Sequence, residues 1–122
     1  MLNAINLMGR LTKDPEIRYT SNEIPVARFS VACQRDKAEG KTDFFEVEAW
    51  RGTAEFAQKY FHEGDMVAIS GRLQNDKWTD KDGHKRITTK IVANSIYFGE
   101  SKRSAVNVSV TELDESDGNL PF

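Results

Sequence analysis

Cysteine occurs once in these 122 residues and histidine twice. A lone Cys33 excludes an internal disulfide and makes a reducing cytoplasm the expected setting. It closes the alternating run VARFSVAC, which reads as a strand with a buried thiol rather than a nucleophile. His62 and His84 stand apart in charged loop contexts, and no Cys/His pair has metal-ligand spacing, so no metal and no cofactor are expected. The phosphate loop GxxxxGK[ST] and the zinc motif HExxH are both missing, and no compact Asp/Glu/Arg cluster can be read, so no catalytic residue is assigned. No apolar run approaches the ~20 residues of a membrane span, and the start MLNAINLMGRL lacks a basic segment followed by an apolar one. No membrane association is expected.

A large excess of charge is also lacking. Of 17 Lys/Arg and 19 Asp/Glu, residues 101–122 hold two and four, which leaves 15 of each in residues 1–100. The whole formal charge of −2 therefore sits in the last segment, and the rest is free to carry a basic face. With 39% hydrophobic and 30% charged residues, the composition is that of a single globular domain.

Short alternating stretches dominate, as half-buried strands do. INLMGRLT comes first, followed after Asp14-Pro15 by the short extended EIRYT. VARFSVAC places Ala27, Phe29, Val31 and Cys33 on one face and Arg28, Ser30 and Ala32 on the other. DFFEVEAW places Phe45, Val47 and Ala49 inwards, with Phe44, Glu46, Glu48 and Trp50 opposite. The period then changes: TAEFAQKYFHEG predicts a short helix with Thr53 as N-cap, Glu55 in its first turn and Gly64 as its stop. DMVAISGRL and RITTKIVANSIYF follow as a long hairpin that turns at Asp82-Gly83. Gly9-Arg10-Leu11 recurs as Gly71-Arg72-Leu73, and glycine inside a strand marks the corners where a barrel closes. The expected fold is all-β with one short helix: a five-stranded OB-fold barrel with a long hairpin between its last two strands. Residues 1–100 form the domain and residues 101–113 a short linker. Within 105–111, Val106, Val108 and Val110 alternate, leaving an edge strand or a flexible linker open.

Most aromatics, including Phe29, Phe45, Phe56 and Tyr60, read as core. Trp78 does not, because its hairpin-tip context NDKWTDKDGHKR offers charged neighbours only. An exposed indole among lysines fits a platform for base stacking, as do Phe44 and Trp50 on the outward face of their strand. Lys13, Arg18, Arg28, Arg35, Arg51, Arg72, Lys77, Lys85 and Arg86 are candidates for phosphate contacts, whose counterion release dominates single-strand affinity. The end ELDESDGNLPF is either a frayed tail or a short linear motif, an apolar anchor and free carboxylate on an acidic leash.

The segments GRLTKDPEIRYT, VARFSVAC, FFEVEAWRGTAE, YFHEGDMVAISGRL and KWTDKDGHKRITT, in this order, resemble the bacterial single-stranded DNA-binding protein family across residues 2–98. The resemblance implies sequence-independent binding of single-stranded DNA, with stacking positions at Phe44, Trp50 and Trp78. A fourth family aromatic is replaced by Gln34. Glu46, Glu48 and Asp76 stand where basic or neutral residues are common, which predicts an affinity lower or more salt-sensitive than is typical. DGNLPF is similar to the family's acidic tip, so Asp114, Glu115, Asp117, Leu120, Pro121 and Phe122 are expected to dock replication, recombination and repair proteins. A homotetramer is implied as well, consistent with more apolar side chains (Phe45, Ile91, Ile96, Phe98) than one small core readily hides. The short linker and weakly acidic tip would suit a phage-encoded or accessory member, acting in the cytoplasm at the nucleoid. The competing readings are a protein-interaction or primosome-type OB module and an RNA-binding barrel.

Overall fold

The computed structural model describes residues 1–35 and 40–99. The period-two stretches form β1 (Ile5–Leu11), β2 (Glu16–Tyr19), β3 (Pro25–Gln34), β4 (Thr42–Trp50), β5 (Met66–Thr79) and β6 (Lys85–Phe98), with α1 (Arg51–Tyr60) between β4 and β5. Hydrogen bonding runs in the order β1-β5-β6-β4-β3-β2, and β1 also pairs with β3. That last pairing closes β1, β3, β4, β5 and β6 into a five-stranded barrel, leaving the short β2 as an added ribbon on β3. All pairings are antiparallel except β4–β6. This is the expected OB-type barrel.

Closure requires β1 to leave β5 and join β3 within a few residues. Gly9 and Gly71 make this possible because a Cβ at either would strike backbone: the Ala32 carbonyl at Gly9 and the Val92 carbonyl at Gly71. A register shift opposite Ser70 and Gly71 leaves Asn94 of β6 unpaired and bends β6 at the same point. The echo is thus structural in its glycines only, since Leu11 is buried while Leu73 is exposed.

Inward side chains of every barrel strand meet in one core: Leu11, Phe29, Val31, Val47, Ile69 and Ile91 among them. Ile91 and Ile96 are hidden by this single chain, so of the apolar surplus read from the sequence only Phe45 and Phe98 are exposed. Phe45 has the inward parity of Val47 and Ala49 yet stays exposed, because β4 pairs with β6 only at Val47 and Glu48 and has β3 alone beside it at Phe45. Cys33 is half-buried, and its Sγ lies 3.4 Å from the Met8 carbonyl. Burial, then the Asp43 carboxylate, push the thiol's pKa up, against nucleophilic chemistry.

The helix plugs one end of the barrel through Ala54 and Ala57, with Phe61 driven into the core directly after it. It starts two residues before the expected Thr53 cap. The chain passes straight from β4 into α1, with Arg51 in the left-handed region at φ 55° and no side-chain cap on the first turn. The early start also moves Glu55 out of that turn. Gly64 does not end the helix; it turns the chain towards β5 at φ 90° and donates its N–H to the Leu11 carbonyl. Phe56 and Tyr60 pack on Phe61 and Phe98 at the barrel end, Phe56 half-buried and Tyr60 exposed rather than in the core.

Candidate nucleic-acid interface

Alternation along β4 sends Phe44, Glu46, Glu48 and Trp50 outwards. The β3 register sets Ala32, Ser30, Arg28 and Val26 beside them, and β2 extends this face with Glu16 and Arg18. Glu48 neighbours Val92 across the parallel junction. From Val92 the β5–β6 register carries the same side along the hairpin through Arg72, Gln74, Asp76 and Trp78 on β5 and Lys90, Thr88 and Arg86 on β6. One continuous strip therefore displays Phe44, Trp50 and Trp78, which are 65%, 40% and 49% exposed.

Trp78 is not in a loop, as its charged context had implied. β5 runs through it to Thr79, opposite Arg86. The turn is Asp80–His84, with Gly83 at φ 83°. Both indoles are tethered through their edges. Trp78 Nε1 donates to Thr88 Oγ1 at 2.8 Å, and Trp50 Nε1 donates to Glu48 Oε1 at 2.9 Å. Tethered rings forfeit less rotational freedom when a base stacks on them.

The nine candidate cations separate into groups. Arg18, Arg28, Arg72 and Arg86 lie on the aromatic strip. Lys77 and Lys85 have the opposite parity and point to the other side of the hairpin, lining a cleft of about 490 Å³ with Trp78, Arg86 and Ile87. Lys13 stands in the β1–β2 loop, Arg51 at the head of α1, and Arg35 at the end of β3. Arg35 holds Asp43 through two hydrogen bonds of 2.9 and 3.0 Å, which keep that carboxyl below the usual range. Arg86 is fastened to the turn, its Nε 2.9 Å from Asp80 Oδ2.

Asp80, Asp82 and His84 bring potential metal-ligating atoms within 4.8 Å of one another. The Asp80 oxygens are already occupied, because Oδ1 accepts the Asp82 and His84 N–H groups and Oδ2 faces Arg86. The His84 N–H first, Arg86 second and the Asp82 N–H last hold the Asp80 pKa down. The group is a lock on the hairpin turn.

The outward parity of Glu48 does not put it in water. Its side chain is 4% exposed, enclosed by Arg28 at 3.3 Å and Lys90 at 2.9 Å. Lys90 also binds Asp76 at 2.6 Å. Burial of the ammonium disfavours its charge, but Asp76 and Glu48 more than offset that and raise the Lys90 pKa. The Lys90 hydrogen bond, then that of Gln74, lowers the Asp76 pKa.

Residues 2–99 match the single-strand binding protein family. The chain belongs to that family. A single-stranded DNA-binding protein of Caldanaerobacter subterraneus subsp. tengcongensis is 40% identical over 128 residues, which cover 98% of this chain and 85% of that protein. Single-stranded DNA-binding protein 3 of Listeria innocua is 36% identical over 123 residues, covering 98% and 77%. A single-stranded DNA-binding protein of Thermus thermophilus is 38% identical over 130 residues, covering 98% and 49%.

For this single-strand binding family member, sequence reasoning missed two features of the strip. Tyr19 is exposed and lines a cleft of about 260 Å³ with Trp50, Arg18 and Arg28. Alternation assigns it to the side of half-buried Ile17, so no local signal marks it. The Glu48 cluster was missed because its members come from four strands. The tip residues Asp114, Glu115, Asp117, Leu120, Pro121 and Phe122, and the 105–111 segment, lie outside the described residues. No helix among the described residues is long and apolar enough to cross a membrane.

Proposed function

We propose that the protein binds single-stranded DNA without reading its sequence, stacking bases on Phe44, Trp50 and Trp78 while cations of the surrounding surface meet the phosphates. The observation that carries this is the shared strip: three exposed aromatic rings on one side of the barrel, interleaved with Arg18, Arg72 and Arg86. A flat array of ring faces suits every base equally, and stacking contributes about 1–3 kcal/mol per base. Duplex DNA keeps its bases paired and out of reach. Family membership supports the same reading, as do relatives named for single-stranded DNA. The role is protection of exposed strands during replication, recombination and repair.

Residues 1–100 are the binding domain, 101–113 the linker, and 114–122 a docking tip for replication, recombination and repair proteins. Phe122 offers a ring and a terminal carboxylate to a basic pocket, and acidic neighbours speed encounter. The working unit is a homotetramer in the cytoplasm, with no catalytic step of its own. The deciding experiment titrates the chain with poly(dT), duplex DNA and single-stranded RNA while following tryptophan emission. Strong quenching by poly(dT) with little response to duplex is expected. Equal responses to duplex, or tighter binding of RNA than of DNA, would overturn the reading.

A further inference from the structure

Glu48 is a carboxylate sealed into the middle of a surface that has to attract a polyanion. Oε1 accepts from Trp50 Nε1 at 2.9 Å and from Lys90 Nζ at 2.9 Å, and Oε2 faces Arg28 Nε at 3.3 Å. The contacts run on across the barrel: Lys90 to Asp76 at 2.6 Å, Asp76 to Gln74 at 2.9 Å, and Gln74 to Arg72 at 2.8 Å. Two carboxylates, Glu48 and Asp76, thus stand against two cations, Arg28 and Lys90, within the aromatic strip, with Glu48 and Lys90 buried and Arg28 and Asp76 reaching solvent. A buried carboxylate is retained only when paired and hydrogen-bonded, and this one has a partner on each neighbouring strand.

We infer that Glu48 is a positioning residue for strand binding: it fixes the Trp50 indole by its edge and keeps Arg28 and Lys90 as internal partners rather than phosphate contacts. This rests on the single-strand reading proposed above and deepens it. The consequence for salt dependence is opposite to the greater salt sensitivity that the acidic positions predict from sequence alone. Each cation spent internally is one fewer phosphate neutralised, and log K then falls less steeply with log[salt], by about 0.7 per contact for single strands. The strip gives up some electrostatic attraction and relies more on stacking, which salt hardly affects.

The test uses the full chain and poly(dT), with Glu48→Gln and Glu48→Ala, each also in a Trp78→Phe background. Since the chain has two tryptophans, that background leaves Trp50 as the sole reporter. In Glu48→Gln the amide oxygen still accepts from Trp50, while the lost charge releases Arg28 and leaves Lys90 paired with Asp76. The salt slope should steepen by about 0.7, with Trp50 quenching by poly(dT) retained. Glu48→Ala also removes the tether, so Trp50 emission anisotropy should fall in the DNA-free protein and rise again in Glu48→Gln. An unchanged slope in the Gln variant overturns the charge-holding half. Anisotropy equal in the Ala and wild-type forms overturns the positioning half. If Glu48→Ala does not fold, solvent exchange of the Trp50 indole N–H in wild type and Glu48→Gln replaces it: slow exchange in both supports the tether, and fast exchange in wild type refutes it. Failure of the single-strand reading is separately visible, because the wild-type chain would then not respond to poly(dT) while the DNA-free Trp50 measurements still report.

Discussion

Replacing Trp78 with alanine separates stacking from every other contribution to binding. The residue sits at the outer end of β5, roughly half exposed, clear of the core, and carries no charge. Its indole makes a 2.8 Å hydrogen bond to Thr88, which adds about 0.5–1.5 kcal/mol at most to folding and less where solvent competes. Loss of one base stack is expected to cost about 1–3 kcal/mol, an affinity ~5- to 150-fold weaker per site. Since no cation is removed, the slope of log K against log[salt] should stay as in wild type. Trp78→Phe retains a ring face but loses the tether to Thr88, so it should fall between wild type and alanine. Fluorescence titration with poly(dT) at several salt concentrations gives affinity and slope, with Trp50 as reporter, and urea unfolding gives stability. The stacking assignment is refuted if Trp78→Ala binds as tightly as wild type, or if its affinity loss vanishes once stability is matched.

Two glycines predict opposite stability effects: Gly71→Ala drives a Cβ into the Val92 backbone and should cost about 1–3 kcal/mol or more, whereas Gly52 has open space in α1 and its alanine variant should gain up to ~1 kcal/mol. Urea midpoints decide both, and a stable Gly71→Ala would contradict the closure geometry. The pKa values of Asp43, Asp76 and Asp80 are depressed in the fold, so the stability they contribute is full above the unfolded carboxylate value of about 3.9 and is lost as pH falls through their lower folded values. Unfolding free energy should therefore decline below about pH 4, less steeply in Asp80→Asn, and a rise there would refute the assignment. Deleting residues 114–122 should leave poly(dT) affinity intact or tighter at low salt and abolish capture of replication and repair proteins; lost DNA affinity with partners still captured would reverse that proposal. Light scattering at micromolar concentration should report a tetramer, and a mass near 13.8 kDa would defeat it.

Strand order, barrel type and the outward parity of Phe44 and Trp50 were legible because alternation on a half-buried strand reports directly which side meets the core. Parity says nothing about how far from the core a side chain ends up. Phe45 has inward parity and is exposed, while Glu48 has outward parity and is sealed beneath Arg28 and Lys90. Such burial depends on long side chains from other strands folding over the position, which no window of sequence contains. Trp78 was misplaced into a loop for a related reason. A two-stranded hairpin that projects from a barrel has solvent on both sides, so its strands carry charge all round and lose their apolar signature. The start of α1 was hidden because Arg51 enters the helix directly from a strand, with no capping side chain to mark it.

The closing of the barrel has a consequence for the order of events during synthesis. β1 finds its β5 partners between 56 residues away (Arg10 with Met66) and 66 residues away (Ile5 with Gly71). Pairings that distant are slow to form, on the order of milliseconds to seconds in all-β domains. On a ribosome adding about 5–20 residues per second, β1 waits roughly 3–13 s after its own emergence before β5 exists at all. Late in that interval, once β4 has emerged, β3 and β4 are free to pair as a local hairpin, but β1 still lacks one of its two neighbours and exposes an unpaired edge. The nascent chain is then most open to strand exchange with another copy, and a polysome crowded with such intermediates is where this fold is most exposed to misassembly.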